Sequence, residues 1–165
     1  MTRPDFIAHW TKLEDDKAHR YRGDDEEMGF NSPLAERLGL TRIGIHHLRL
    51  PPGRRSSYPH AESAEEEFVF VIAGHPDVWI DGALHSLEPG DSVSFPAGTG
   101  ICHTFLNNTP DEVRLIVVGE KPKPENRIRY PKNEAHERTR PDRWVDPPAR
   151  TFGPHDGKAR VRGAI

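Results

Sequence analysis

Between Thr41 and Glu120 turn-forming residues recur at intervals of about ten, and the segments between them are short, β-branched and aromatic. Ile43, Ile45 and His47 alternate with Gly44, His46 and Leu48 at a period of two. Glu67–Ala73 (EFVFVIA) runs up to Gly74. Asp77–Ile80 and Ala83–Leu87 flank Asp81-Gly82, a dipeptide that selects a two-residue hairpin. Pro89-Gly90-Asp91 is a turn, Ser92–Phe95 a short strand, and Pro96-Ala97-Gly98 a second turn. Cys102–Leu106 and Val113–Val118 follow, separated by the turn Asn107–Asp111. Such spacing predicts an all-β antiparallel sandwich or barrel, and the absence of an internal repeat predicts one barrel rather than two.

The flanks read differently. Residues 1–40 form a polar arm whose acidic run Asp24-Asp25-Glu26-Glu27 reads as a solvated loop. A short helix closes this arm, with Ser32 as its cap, Pro33 at its first position and Gly39 at its end. Residues 41–120 are the barrel. Residues 121–165 form a second arm rich in proline and arginine, with Tyr130, Trp144, Val145 and Phe152 as apolar anchors. If Glu67 points inward, so do Val69 and Val71, and Phe68, Phe70 and Ile72 face outward. Three large apolar side chains on an outer wall need cover, so a homodimer with arms packed over the barrel is expected.

Charge is uneven along the chain. Residues 121–165 carry 12 lysines and arginines against 6 acids, whereas residues 1–120 carry 11 against 20. The basic residues are scattered among prolines and acids rather than clustered, which argues against nucleic acid as a partner. No apolar run approaches the roughly 18 residues of a membrane span. The first twenty residues lack the apolar region of a secretory leader. With a single cysteine, Cys102, the chain is expected in the reducing cytoplasm.

Residues of metal-ligand type fall in two motifs. The first runs from Gly53 through His60-x-Glu62-x4-Glu67 to x6-Gly74. The second is Gly90-x5-Pro96-x-Gly98-x4-His103-x3-Asn107. His60 and Glu62 share a face in an extended segment, Glu67 starts the next strand, and His103 shares its parity with Phe105 and Asn107. Imidazole and carboxylate donors suit a divalent Zn, Fe, Mn, Ni or Co ion. Candidate ligands are therefore His60, Glu62, Glu67 and His103, with Glu62 and Glu67 also placed to move protons. His47, Arg49, Tyr58, Phe105 and Asn107 are candidates for the pocket that would receive a small molecule. Cys102 points away from His103 in a strand and reads as packing.

These two motifs, over about Thr41 to Glu120, resemble the signatures of the cupin superfamily. The resemblance implies a jelly-roll or double-stranded β-helix barrel with a conical pocket, in which His60, Glu67 and His103 bind one divalent metal. It is similar above all to small single-domain bacterial members, some described as relatives of sugar-phosphate isomerases. Two departures stand out: the family has histidine where Glu62 lies, and His103 follows Gly98 after four residues rather than two. The function expected is metal-assisted isomerisation of a small hydroxy-carbonyl, sugar-like or carboxylate substrate, or dioxygen chemistry if the metal is iron. The alternative is a non-catalytic binding or sensing barrel.

Overall fold

A computed structural model describes residues 2–163. Ten strands and two short helices follow a 3-10 turn at Trp10–Lys12. In chain order they are β1 (Phe30–Pro33), α1 (Leu34–Arg37), β2 (Ile43–Leu50), β3 (Ala61–Glu62), β4 (Glu67–Ala73) and β5 (Asp77–Ile80). Then come β6 (Ala83–Ser86), β7 (Ser92–Phe95), β8 (His103–Leu106), β9 (Val113–Glu120), β10 (Ile128–Arg129) and α2 (Glu134–Arg138). A five-stranded sheet, β1-β2-β9-β4-β7, faces a three-stranded sheet, β6-β5-β8, and a two-stranded ribbon, β10-β3, lies to one side. Every strand pair is antiparallel. The strands make an all-β antiparallel barrel. Among the described residues no helix is long and apolar enough to cross a membrane.

Period-two alternation builds the core. Leu48 and Leu50 from β2, Val69 and Val71 from β4, Phe95 from β7 and Leu115 from β9 meet Val78 of β5 and Phe105 of β8 between the sheets. The opposite parity of β4 leaves Phe68 and Phe70 42% and 39% exposed. The β5–β6 hairpin turns at Asp81-Gly82 with φ of 46° and 90°, as a left-handed two-residue turn requires. A side chain at Gly82 would collide with the Gly153 backbone, so this turn is also where the C-terminal arm crosses.

That arm packs on a different face from the one expected. Trp144, Phe152 and Ala159 cover Ala61, Trp79, Cys102 and Leu106, and the Trp79 indole donates to the His155 carbonyl at 2.9 Å. It therefore shields the outer face of β5 and β8, which buries β5 on both sides, and leaves Phe68 and Phe70 bare. Asp81 ties the crossing: its carboxylate accepts from the Cys102 amide at 3.0 Å and from Arg150 at 2.6 and 2.8 Å.

The N-terminal region also departs from its sequence reading. Ser32 and Pro33 do not open a helix; they lie in β1, paired with His47 and His46, because a sheet partner outcompetes a local cap. Helix α1 starts one residue later, and Gly39 ends that turn with φ 85°. The acidic run is not a free loop. The hydroxyl of Tyr58 donates to Asp24, Glu27 pairs with Arg20 and Arg54, and Glu26 receives both arms of the Arg55 guanidinium at 2.6 and 2.7 Å. Arg55 is 1% exposed and also donates to the Gly157 carbonyl at 2.8 Å, joining both arms to the barrel.

Removing one partner of such a pair leaves a charge stranded. Arg55→Ala is expected to cost about 3 kcal/mol, lowering the melting temperature by roughly 6–12 °C. Calorimetry checks this; an unchanged melting temperature contradicts the clamp.

Candidate metal centre

The centre is built from two strand starts and one bridge. His60, just ahead of β3, and His103, at the start of β8, exchange a pair of antiparallel main-chain hydrogen bonds of 3.1 and 2.9 Å. This places their rings 4.9 Å apart. Glu67, at the start of β4, reaches across so that Oε1 lies 3.1 Å from Nε2 of His103. One ligand atom from each of His60, Glu67 and His103 lies within 4.8 Å of the others.

Both rings are held in the orientation that a metal ligand needs. Nδ1 of His60 lies 2.9 Å from the Tyr58 carbonyl, and Nδ1 of His103 lies 3.4 Å from that of Ile101. A carbonyl only accepts, so Nδ1 of each ring carries a proton and Nε2 is the atom turned to the cluster, where in His103 it donates to the Glu67 carboxylate until an ion takes its place. The His103 ring also stacks flat on Phe95 at 3.4 Å, which fixes its plane. Burial, aided by the neighbouring His103, pushes His60 down to about 4, so it is neutral at physiological pH, the form in which an imidazole can bind a metal. Burial opposes ionisation of Glu67, but its hydrogen bond to His103 and the adjacent imidazoles hold it below the usual carboxylate range. Two imidazoles and one carboxylate, gathered within 4.8 Å, fit a divalent first-row metal ion.

Two members of the cluster, His60 and Glu67, line a cavity of about 500 Å³. Its walls include His46, Ser56, Ser57, Phe105 and Val117 from the barrel. Asp15, Lys17, Ala18, His19 and Arg20 line it from the N-terminal arm. The arm is therefore part of the pocket, which its irregular, polar sequence gave no means of placing.

Several sequence candidates lie elsewhere. Glu62 is not within the ligand cluster and does not line the cavity; it lines a narrow crevice with Glu65, Pro96 and Thr99, which His60, Glu67 and His103 also line. Pairing of β3 with β10, and a hydrogen bond from Asn126, hold it there. Burial, reinforced by the Glu65 and Glu67 charges, raises Glu62 to about 8. His47 and Arg49 point out of the barrel. His47 stacks on Trp10 at 4.1 Å, and Arg49 binds Glu14 at 2.6 and 2.9 Å, so both anchor the N-terminal arm. Tyr58 is buried against Tyr21 at 3.8 Å rather than lining the pocket. Asn107 is wholly buried and closes the β8–β9 turn, donating to the carbonyls of Leu50 and Asp111 at 2.7 Å each. Of the five pocket candidates, Phe105 alone reaches the cavity.

His46 takes the place assigned to His47. The signal was parity: Leu48 and Leu50 are the core residues of β2, and His46 shares their side of the strand. The apolar Ile43 and Ile45 on the opposite parity masked it.

Residues 46–119 match the family model described as the cupin domain. A sugar phosphate isomerase of the cupin superfamily from Silicibacter pomeroyi is 33% identical, over 62% of this chain and 64% of its own, with a TM-score of 0.60. A protein from Acidithiobacillus ferrooxidans, to which the same activity is provisionally ascribed, is 28% identical over 64% and 66%, with a TM-score of 0.61. The chain thus spans just under two thirds of the length of these two relatives. The polyketide cyclase RemF from Streptomyces resistomycificus is 20% identical but shares the fold over 86% of this chain and 95% of its own, with a TM-score of 0.62. No curated protein matches the sequence.

The raised Glu62 gives a signed pH dependence. A carboxyl whose folded value exceeds its unfolded one stabilises the protein fully below the unfolded value, near 4.5, and loses that contribution as pH rises through about 8. The gain in melting temperature from Glu62→Gln is therefore expected to be larger at about pH 8.5 than at about pH 5. The opposite effect of His60 is common to both proteins and cancels in the difference. Equal gains at the two pH values, measured by calorimetry, contradict the buried assignment of Glu62.

Proposed function

We propose, on the match of residues 46–119 to the cupin domain, an enzyme that isomerises a small polyhydroxylated carbonyl compound bearing an anionic group. The observation that carries this reading is the His60–Glu67–His103 cluster, of which His60 and Glu67 open onto a cavity large enough for a sugar phosphate. The 33% identity to a sugar phosphate isomerase supports the substrate class.

His60, Glu67 and His103 would hold the divalent metal. When bound, the metal supplies Lewis-acid polarisation of a carbonyl or hydroxyl oxygen. The chain's own residues do the rest. Ser56 and Ser57 present hydroxyls to the cavity, and Lys17 and Arg20 bring positive charge to its arm side, where an anionic group is attracted. Phe105 and Val117 give the apolar part of the wall and exclude water from the reacting carbons. Glu62 lines the narrow crevice beside the cluster and not the cavity, so this reading gives it no part in the proton transfer.

Two histidines and one carboxylate are also the donor set of mononuclear iron oxygenases, so Fe(II) would favour oxygen chemistry as the second reading. The bare Phe68 and Phe70 support a homodimer joined across the outer face of β4. Sedimentation of the wild type against Phe68→Ser/Phe70→Ser checks that, a monomeric wild type opposing it. The buried, unpaired Cys102 agrees with a reducing, cytoplasmic setting.

The protein reconstituted in turn with Zn, Mn, Ni and Fe(II) is expected to interconvert at least one aldose–ketose phosphate pair in D2O, with deuterium entering at carbon. His60→Ala and His103→Ala are each expected to lose at least about 100-fold in kcat/KM, a loss of about 2.7 kcal/mol of transition-state stabilisation. Turnover that persists without metal contradicts the proposal. Ligand-induced stabilisation with no product favours a sensing barrel, and oxygen consumption by the iron form favours the second reading.

A further inference from the structure

The proposed isomerisation needs a group that takes a proton from the substrate, and none of the three clustered residues is free to do so. His46 faces the same cavity and is not part of the cluster. Its Nδ1 lies 3.0 Å from Oδ1 of Asn31. The amide nitrogen of Asn31 is turned the other way and donates to Oδ2 of Asp15 at 3.4 Å. Asp15 is anchored in turn by Arg37 at 2.7 Å, and its amide donates to the Asn31 carbonyl at 2.8 Å. A carboxylate only accepts, so the Asn31 amide presents its oxygen to His46, and an oxygen can only accept from Nδ1–H.

Nε2 of His46 is then the nitrogen with a lone pair. No protein hydrogen bond involves it among the described residues. The space beside it stays open because residue 44 is glycine: a Cβ there would sit 3.3 Å from this nitrogen. Burial and the positive charge of Lys121 favour the neutral ring, with Glu67, Glu36 and Asp15 acting the other way.

We infer that His46 is a catalytic proton acceptor whose tautomer is set by the Asp15–Asn31 pair, making the N-terminal arm a positioning element of the site. This rests on the isomerase reading. Nε2 takes the proton from the carbon next to the carbonyl, and the C–H electron pair becomes the C=C bond of an enediol as the carbonyl oxygen gains a proton from solvent. Return of a proton from Nε2 to the former carbonyl carbon, with loss of the other hydroxyl proton to solvent, completes the isomerisation without oxidant or reductant.

Long-range 1H–15N spectra of histidine-labelled protein, with His46 assigned through His46→Gln, read the tautomer independently of turnover. The expected result is protonated Nδ1 and bare Nε2 in the wild type, with that preference lost in Asn31→Leu. Protonated Nε2 in the wild type, or no change in Asn31→Leu, overturns the inference. On the aldose–ketose phosphate pair that turns over, His46→Gln is expected to lower kcat by about 10²–10⁴, with metal content, fold and KM close to wild type. Unchanged kcat overturns the inference, and so does loss of metal, which would make His46 a ligand. If the wild type turns over no sugar phosphate, the isomerase reading fails by itself, and the tautomer spectra still decide the role of the Asp15–Asn31 pair.

Discussion

Two main-chain hydrogen bonds between His60 and His103 are the constraint on which the site depends. They join a segment ahead of β3 to the start of β8 and bring two imidazoles, 43 positions apart in the chain, to 4.9 Å. Because the bridge uses backbone rather than side-chain atoms, both rings keep Nε2 for other work. Backbone carbonyls of Tyr58 and Ile101 take up the remaining nitrogens, and Glu67 enters from the opposite sheet. A preformed cluster of this kind lowers the ordering cost of binding an ion.

The arms complete what the barrel begins. Packing of the C-terminal arm on Trp79 and Cys102 buries the back of β5 and β8, stiffening the strand that carries His103. The N-terminal arm is fixed by Trp10 on His47, Glu14 on Arg49 and the Glu26–Arg55 pair. Those contacts hold residues 15–20 over the cavity. The barrel supplies the cluster, and the arm supplies the charged and polar lining opposite it.

The barrel was legible in the sequence because its signals are local. Alternation in EFVFVIA assigned Glu67, Val69 and Val71 to the interior, and Asp81-Gly82 placed the β5–β6 turn. Long-range pairing was not legible. Ser32-Pro33 reads locally as a helix start but is claimed by β2, and Asp24–Glu27 reads as solvated until Arg54, Arg55 and Tyr58 are brought to it. Glu62 has the parity of a ligand, yet β10 and Asn126, over sixty residues later, hold it away from the cluster. His46 and His47 differ only in which side of β2 meets the core, and apolar residues on both sides concealed the answer.

The central claim is a three-residue centre, with Glu62 outside it. Metal content of the reconstituted protein, by elemental analysis of the wild type beside Glu62→Gln and Glu67→Gln, tests this most directly. The account predicts near-stoichiometric metal in the wild type and in Glu62→Gln, and a large loss in Glu67→Gln. Loss of metal in Glu62→Gln, or full retention in Glu67→Gln, would contradict it.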